Sequence, residues 1–546
     1  MCRALPSLIA ATLLASVAAS PARAARPRLG VVIVFDQLSS WLADQGEPFY
    51  GPGGFGGLDG ARYDAWYNFA STETAPGHAT IATCAQPSVH GIATNTWFHD
   101  GKPFYVVEDE RFPVLAPTPT DPRARLSRGV SPRMLRVPTL GDAMKIDSGG
   151  RAKVITLSHK DRAAALSGGQ TADLAIWYDR ELGRYTTSTA YADVLPAWLE
   201  AHGAALPAAA RSTATWVPLE VPKDLTALVP ADDRPGEGGV GGFGATFPHH
   251  LRDLATDEEK KNAYRASPQS IDDVFALALL AVEHEGLGQD AEPDLLVVSV
   301  STTDVIGHNY GGDSLEALDV LRRSDAAVRR FVAELKKKVR GDVPIVITAD
   351  HGAPPLPQTM EKAGMNVVPL SYEVVVGAAD EALKRVAPRK DGSSRVQAFF
   401  PPQMFVDFAD LDAAGVERAI AAVTAAVEAT PGIAAIYDMR DGKPDRDEFH
   451  WLMRASAPPG RAAAIFVRQE PRVVLIEQRY LGKGTDHGSV YTYDRRVPFF
   501  LAGPGVKRGR HSDHVDVRDV SPSLAFMLAV SPPDACQGRP VGALRE

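Results

Sequence analysis

Short hydrophobic runs rich in β-branched residues recur along the chain, and each of them ends in a polar cluster. The five runs that we predict as strands are Val31–Phe35, Lys153–Leu157, Leu295–Val300, Pro344–Ile347 and Pro498–Leu501. Between them, Val328, Phe331, Val332 and Leu335 have the spacing of an amphipathic helix, which continues to Lys338. Apolar strands that alternate with helices are typical of sheets covered on both faces, so the pattern predicts an α/β fold with a central, largely parallel sheet flanked by helices.

Two stretches interrupt this alternation. Residues 204–244 are rich in Ala, Pro and Gly, which predicts an irregular surface insertion. Residues 378–478 have helix and strand patterns of their own, including a helical pattern over 412–429, and predict an inserted cap subdomain.

The first 24 residues have the features of a secretory signal peptide. They contain one early cation, Arg3, an apolar stretch over 5–18 and the cleavage motif Ala22-Arg23-Ala24. A membrane anchor is the alternative, but the stretch is shorter than the ~20 apolar residues that a span needs. We therefore expect cleavage after Ala24, a periplasmic or secreted protein and no stable membrane insertion.

Composition narrows the functional classes. Hydrophobic residues make up 45% of the 546 residues and charged residues 23%, which is typical of globular proteins. The net charge of −9 becomes −11 when the signal peptide takes Arg3 and Arg23 with it, so no global field favours nucleic acid as a partner. Any anionic substrate must be held by local charge. Cys84 and Cys536 would remain after cleavage, either as a disulfide or as two buried thiols, and the sequence leaves both open.

Residues that commonly bind metal ions follow three of the predicted strands and lie on one later loop. They are Asp36, Asp304 and His308, Asp350 and His351, and His487. Sites in open α/β sheets form outside the carboxyl ends of strands, so we expect these side chains to meet. Three carboxylates and three imidazoles suit Zn²⁺ and exceed the ligands of one tetrahedral ion, which predicts a two-zinc phosphoryl-transfer site. Taken singly, each residue could equally be a helix cap or a turn residue.

Four further residues are candidates for contact with a phosphoryl group. Thr74 precedes Pro76, so it would lie at a helix N-terminus, where it is either a plain cap or a nucleophile that a metal ion activates. Lys160 and Arg162 are two apart in a predicted extended segment and would present both cations to one side, unless the segment is simply a solvated loop. Asn95 could donate its amide to a phosphoryl oxygen or serve only in a turn.

The candidate ligands extend from Asp36 to His487, so one site draws on almost the whole chain. We therefore expect residues 25–546 to form a single catalytic domain that carries the two insertions.

Several motifs together resemble the alkaline phosphatase superfamily and, more closely, the PafA-type phosphate-irrepressible bacterial alkaline phosphatases. They are Thr72–Thr83, Ser158–Arg162, Asp304–His308, Thr348–Gly352, Gly484–Ser489 and Asp519–Leu524, in family order. The resemblance implies one zinc held by Asp304, His308 and His487, and another held by Asp36, Asp350 and His351 with Thr74 as the nucleophile bound to it. It also implies that Asn95, Lys160 and Arg162 hold the phosphoryl group and that a phosphothreonine intermediate forms.

Lys160 and Arg162 distinguish the predicted function from its nearest rival. A phosphodiesterase of the nucleotide pyrophosphatase type resembles this chain in its threonine and both metal sites, but a monoester dianion uses Lys160 and Arg162 better than a diester does. A sulfatase would need a Cys or Ser in a C/S-x-P-x-R motif, which Cys84-Ala-Gln-Pro87 lacks. A binding protein with an inactive site is disfavoured, because the expected residue is present at every site position that the resemblance implies. The sequence therefore predicts hydrolysis of small phosphate monoesters.

Overall fold

The computed structural model describes residues 26–544 except 56, 100, 117–128, 211–214, 441 and 443. The predicted signal peptide, residues 1–24, lies outside the described residues. The strands are β1 (Leu29–Phe35), β2 (Gly60–Trp66), β3 (Thr96–His99), β4 (Lys102–Tyr105), β5 (Glu108–Pro113), β6 (Gly129–Val130), β7 (Val154–Ser158), β8 (Leu174–Asp179), β9 (Arg184–Thr186), β10 (Thr215–Trp216), β11 (His249–His250), β12 (Asp294–Val300), β13 (Ile345–Thr348), β14 (Val368–Ser371), β15 (Val396–Phe400), β16 (Gln403–Val406), β17 (Ile433–Asp438), β18 (Ile465–Gln469), β19 (Val473–Ile476), β20 (Arg496–Ala502), β21 (Gly509–Arg510) and β22 (Val515–Asp516).

The α-helices are α1 (Ser40–Gly46), α2 (Thr74–Thr83), α3 (Pro87–His90), α4 (Leu140–Asp147), α5 (Asp161–Gly168), α6 (Ala197–Ala210), α7 (Asp257–Ala266), α8 (Pro268–His284), α9 (Thr302–Tyr310), α10 (Leu315–Lys338), α11 (Pro357–Lys362), α12 (Tyr372–Val386), α13 (Ala413–Glu428), α14 (Glu448–Ala455), α15 (Thr492–Arg495) and α16 (Val520–Leu528). Helix α10 contains the predicted amphipathic helix, and its residues Val328, Phe331, Val332 and Leu335 are buried.

A ten-stranded mixed sheet forms the centre of the fold and confirms the predicted α/β class. Its order is β21-β2-β20-β13-β1-β12-β7-β8-β9, with β22 beside β2. Strands β13, β1, β12, β7 and β8 are parallel neighbours. Strand β20, which contains the predicted run at Pro498, is antiparallel to both β13 and β2. An apolar run has the same pattern in either direction, so the sequence could not give the orientation of this strand.

The chain between 368 and 476 forms a smaller unit with its own sheet. Strands β15, β16, β18 and β17 pair in that order, all antiparallel, and β14 pairs with β19 in parallel. Helices α12 and α13 cover a separate apolar cluster. The predicted cap segment, 378–478, corresponds to this unit, but α12 begins six residues earlier, at Tyr372.

Part of the segment predicted as a surface insertion, 204–244, packs toward the carboxyl edge of the sheet. The Gly238 N–H donates to the Asn309 carbonyl, and the Gly236 carbonyl accepts from the Gly484 N–H, at 2.8 and 2.7 Å. The Phe243 side chain is buried. This glycine-rich end of the segment therefore lies beside α9 and the loop that carries His487, rather than in solvent.

A disulfide joins Cys84 to Cys536 across 452 residues of sequence. This resolves the alternative that the sequence left open. It ties the end of α2 to the C-terminal segment, where the Gln537 N–H also donates to the Cys84 carbonyl at 2.8 Å. Within the ranges that the structure describes, no helix combines the length and apolar character that crossing a bilayer requires.

Candidate active site

The parallel register of the central strands brings the candidate ligands to one edge of the sheet. Phe35 pairs with Val300, and Val34 pairs with Thr348, so β1, β12 and β13 end together. Asp36 follows the first of these strands, α9 with Asp304 and His308 follows the second, and Asp350-His351 follows the third. This is the edge at which parallel α/β sheets form their sites.

One group of candidate ligands consists of Asp304, His308 and His487. Asp304 and His308 are one turn apart on α9, and Asp304 Oδ1 lies 3.2 Å from His308 Nε2. His487 reaches the same oxygen from its loop, with Nε2 at 3.9 Å. The three side chains converge closely enough to hold one ion.

A second group consists of Asp36 and His351, with Asp304 shared between the groups. Asp36 Oδ1 lies 3.4 Å from His351 Nε2. Asp350 was also expected here, and its Oδ2 lies 3.7 Å from the same nitrogen. All of these side chains are buried.

The three histidines are oriented for metal binding by backbone carbonyl groups. The Nδ1 atoms of His308, His351 and His487 lie 3.1, 3.0 and 2.7 Å from the carbonyl oxygens of Thr485, Gly352 and Thr72. Since a carbonyl oxygen only accepts, Nδ1 carries a proton and Nε2 faces the carboxylates, which is the usual arrangement for a zinc-binding imidazole.

Two buried polar atoms support the fit of this donor set to a cation. Asp36 Oδ1 and His351 Nε2 have no hydrogen-bond partner among the described residues. Buried polar atoms without partners are rare and costly, and an ion between them would satisfy both. Carboxylate and imidazole donors in this number suit divalent zinc.

Neighbouring carboxylates raise the pKa of two of the three histidines at the site. Burial opposes protonation of His308, but Asp304 raises its pKa to about 9. Burial likewise opposes protonation of His351, but Asp350 and Asp36 raise its pKa to about 9. Burial and the neighbouring His351 and His308 lower the pKa of His487 well below its ordinary value. The carboxylates that stabilise the imidazolium ions would stabilise a bound cation in the same way.

The candidate nucleophile begins a helix that packs against the ligand loop. Thr74 is the first residue of α2 and is buried. Gly77 in the next turn approaches Asp350 so closely that a Cβ there would lie 2.1 Å from the Asp350 carbonyl oxygen. The small residue therefore lets the helix N-terminus lie directly on the ligand cluster, where free N–H groups favour an anion.

The two candidate cations reach the Thr74 hydroxyl, although their local conformation differs from the prediction. Lys160 Nζ donates to Thr74 Oγ1 at 3.1 Å, and Arg162 Nη2 donates at 3.4 Å. The predicted extended segment was wrong for Arg162, because α5 begins at Asp161, whose carboxylate accepts from the Arg162 N–H at 2.7 Å. Of the two cations, only Lys160 has extended backbone angles.

Lys160 also forms two buried ion pairs. Its Nζ lies 2.6 Å from Asp36 Oδ2 and 2.7 Å from Asp304 Oδ2. Burial would raise the pKa of Asp304, but Lys160 and His308 outweigh it and lower that pKa well below its usual range. The ammonium thus joins the two candidate ligand groups to the nucleophile.

Asn95 is held beside the N-terminus of α2 with its amide group oriented. Its Oδ1 accepts from the Ala75 N–H at 2.9 Å, and its own backbone N–H donates to Glu73 Oε2 at 2.8 Å. Burial raises the pKa of Glu73 to about 7 although the Asn95 N–H opposes this. Because the Asn95 oxygen is engaged, its NH₂ group is the part available to a ligand in the cleft.

Two residues that the motifs did not indicate as functional support the site. Gln37 has a φ of +66° and places its Nε2 within 3.3 Å of Asp304 Oδ1. The His78 Nδ1 donates to the Thr74 carbonyl at 2.9 Å and lies 3.2 Å from Asp350 Oδ2. Its fourth-residue spacing from Thr74 on one helix was the available signal, since such residues share a face.

The site opens into a cleft of about 610 Å³. Seven of the ten predicted site residues line it, namely Thr74, Asn95, Lys160, Arg162, Asp304, His308 and His487. The other three are fully buried: Asp36 pairs with Lys160, the His351 ring stacks on that of His487, and Asp350 lies beside His351. A threonine hydroxyl, two cations and a carboxylate–imidazole cluster thus meet at one solvent-accessible place, an arrangement suited to transfer of a phosphoryl group.

Comparison with known families agrees with this chemistry. The family described as type I phosphodiesterase / nucleotide pyrophosphatase matches residues 31–162 and 175–488. The chain belongs to this family. The match includes all ten predicted site residues and most of the central sheet.

Individual relatives place the chain among alkaline phosphatases. Alkaline phosphatase PhoK of Sphingomonas sp. is 30% identical over 96% of this chain and 91% of that protein. Alkaline phosphatase PafA of Elizabethkingia meningoseptica is 28% identical over 94% of each chain. A crystal structure of wild-type alkaline phosphatase PafA superimposes with a TM-score of 0.84 at 26% identity, covering 95% of this chain and 99% of that one. The predictions of an alkaline phosphatase fold and of an alkaline phosphatase enzyme are confirmed.

Proposed function

We propose that this enzyme hydrolyses small phosphate monoesters through a covalent phosphothreonine on Thr74. The observation that carries the proposal is the convergence on Thr74 Oγ1 of Lys160 and Arg162, at 3.1 and 3.4 Å. A threonine that only capped the helix would need neither cation. A hydroxyl between two cations at a helix N-terminus is suited to attack a phosphorus atom whose oxygens carry negative charge.

The donor set supports two zinc ions as cofactors. Asp304, His308 and His487 would hold one ion, and Asp36, Asp350 and His351 the other, with Thr74 beside the latter. When bound, the ions would lower the pKa of the threonine hydroxyl and neutralise charge on the reacting oxygens. They would compete with Lys160 for oxygens of Asp36 and Asp304, so we expect its flexible stem to turn the ammonium toward the phosphoryl group.

Thr74 acts as the nucleophile, and three other side chains bind the phosphoryl group. Thr74 Oγ1 gives up its proton and forms a bond to phosphorus while the bond to the leaving oxygen breaks, and the released alcohol takes up a proton. Water then cleaves the phosphothreonine, which releases phosphate and returns a proton to the Thr74 hydroxyl. The Asn95 amide, Lys160 and Arg162 donate to the non-bridging oxygens in both steps. Arg162 and the Asn95 amide are already positioned, and Lys160 would join them once its ammonium leaves Asp36 and Asp304, so the three donors would stabilise the transition state.

Monoesters are favoured over diesters by charge. A monoester dianion presents three charged non-bridging oxygens to Asn95, Lys160 and Arg162, whereas a diester replaces one of them with an ester group. Phosphodiester hydrolysis, the activity that the family description names, remains the alternative function. The signal features at residues 1–24 support a periplasmic or secreted location.

A comparison of matched substrates tests this proposal. We expect kcat/KM of the zinc-loaded protein to be much higher for phenyl phosphate than for methyl phenyl phosphate. A higher value for the diester would overturn the monoesterase. Thr74→Ala should abolish turnover and the phosphothreonine that mass spectrometry detects after acid quenching, whereas Thr226→Ala, an exposed threonine outside the cleft, should change neither. Full activity of Thr74→Ala would refute the covalent mechanism.

A further inference from the structure

A second cavity of about 710 Å³ opens beside the nucleophile cleft. Both spaces are lined by Lys160, Arg162, Arg180, Asn262 and Arg265, so they adjoin each other. The proposed mechanism uses only the first two of these residues. The other three therefore present two guanidinium groups and an amide to a space beyond the reacting phosphoryl group.

Arg265 on α7 is the most unusual of these groups. Its Nε is buried and has no hydrogen-bond partner in the described part of the chain. Burial and the neighbouring guanidinium groups of Arg180 and Arg162 lower the pKa of Arg265, although Asp304 and Asp36 oppose them. A half-buried guanidinium that faces two others is costly unless an anion satisfies it.

The acidic residues of the second cavity do not satisfy these cations. Asp161 accepts from the Tyr105 hydroxyl and the Arg162 N–H, at 2.5 and 2.7 Å. Asp179 accepts from the Leu182 N–H at 2.9 Å. The two glutamates, Glu181 and Glu258, are exposed. Among the ion pairs between described residues, none involves Arg180 or Arg265, so their charge is available to a ligand.

The position of the cavity indicates which part of a substrate would enter it. Arg265 and Asn262 line the cleft together with Asp304 and His308, two ligands proposed for the ion that is not beside Thr74. In an in-line displacement the leaving group departs on the side opposite the attacking Thr74 oxygen. A substituent carried by the leaving group would therefore pass beside them. Guanidinium and amide donors recognise the oxygens of a phosphoryl group.

We propose that Arg180, Asn262 and Arg265 form a second anion subsite, which binds a further phosphoryl group on the leaving group of the substrate. The subsite rests on the proposed monoesterase function and deepens it. It makes organic bisphosphates better substrates than monophosphates with the same carbon skeleton. The preference comes from binding and not from the reacting phosphoryl group, which is held by Asn95, Lys160 and Arg162 in both cases.

Propanediol bisphosphate and propanediol monophosphate provide the test. The ratio of their kcat/KM values measures the contribution of the second phosphate, and the factor of two for the equivalent ends cancels between variants. We expect Arg265→Ala to lower the ratio by about 10-fold or more, as expected for the loss of hydrogen bonds to a charged group. Arg180→Ala should lower it less, because Arg180 is exposed. Arg340→Ala, an exposed cation outside both cavities, should leave the ratio unchanged.

The outcomes separate the subsite from the proposed function. An unchanged ratio in Arg180→Ala and in Arg265→Ala, or in Arg180→Ala alone if Arg265→Ala does not fold, would overturn the subsite while leaving the monoesterase intact. A wild-type enzyme that hydrolyses neither compound would refute the proposed function, and the subsite with it. A ratio that falls in Arg340→Ala as much as in Arg265→Ala would show a general charge effect and would also overturn the subsite.

Discussion

Replacing Arg162 by Ala should impair monoester hydrolysis far more than diester hydrolysis. The guanidinium lies 3.4 Å from the Thr74 hydroxyl through Nη2, and its Nη1 donates to the Tyr105 hydroxyl at 3.2 Å. Tyr105 therefore fixes the side chain at the place where the non-bridging oxygens would lie. The substitution removes this donor while Lys160 keeps one positive charge at the nucleophile.

The size of the effect follows from the hydrogen bonds that are lost. A hydrogen bond to a charged group contributes about 1.5–3 kcal/mol, which corresponds to a fall of about 10- to 150-fold in kcat/KM for phenyl phosphate. For methyl phenyl phosphate, one oxygen no longer carries charge, and we expect a fall of about threefold or less. Arg162→Lys should give an intermediate result, since it retains charge but not the planar fork.

The assay is steady-state kinetics of both esters with zinc-loaded wild type, Arg162→Ala and Arg162→Lys. Tyr105→Phe is the control for the loss of the hydroxyl partner, because it removes that hydrogen bond and retains the guanidinium group. An equal fall for monoester and diester in Arg162→Ala would refute the reasoning, since it would mean that the guanidinium acts on the fold or on the nucleophile and does not recognise the dianion.

Three further predictions concern stability and metal affinity. Replacing Cys84 and Cys536 by Ser should lower the free energy of unfolding by about 2–4 kcal/mol, and denaturant titration of oxidised and reduced wild type should show a similar loss. His78→Gln should weaken zinc affinity by about 10-fold in competition with a chromogenic chelator, because Asp350 loses its neighbour, and an unchanged affinity would contradict this. Burial raises the pKa of Glu316 from 4.5 to about 8, so the folded chain retains a proton that the unfolded chain has released and stability falls as pH rises through this interval. In unfolding titrations at several pH values, the free energy of unfolding of Glu316→Gln should decrease less with rising pH than that of the wild type.

The edge of the sheet at which the site lies could be predicted from the sequence because local patterns and global geometry coincide there. Strands β1, β12 and β13 are buried along their whole length, so each appears as a mostly apolar run. The polar residue after such a run marks the carboxyl end of the strand. In a parallel sheet all of these ends lie together, which is why Asp36, Asp304 and Asp350 meet although more than 300 residues separate the first from the last.

Features that depend on contacts between distant segments could not be predicted. Strand β20 pairs antiparallel with both β2 and β13, and nothing in its apolar run indicates this direction. Gln37 and His78 have ordinary local surroundings in the sequence, and their contacts with Asp304 and Asp350 exist only after the sheet has formed. The glycine-rich segment near 236–244 has the composition of a solvent-exposed loop, yet it pairs with Asn309 and Gly484 through backbone groups that any residue possesses.

Local charge explains how an acidic chain could act on anions. Three carboxylates meet at the sheet edge, and in the structure Lys160 compensates two of them directly. A phosphate dianion placed there would face Asp36 and Asp304 at close range, where repulsion is strong because the site is buried. The proposed cations at the two ligand groups would remove that repulsion and also release Lys160 from its ion pairs. Arg162, which is held by Tyr105 and not by the ligand carboxylates, would then add to an already positive cleft. Under the proposed function, affinity for substrate is therefore set by the occupancy of these ligand groups and by the neighbouring cations, and the net charge of −9 has little influence on it.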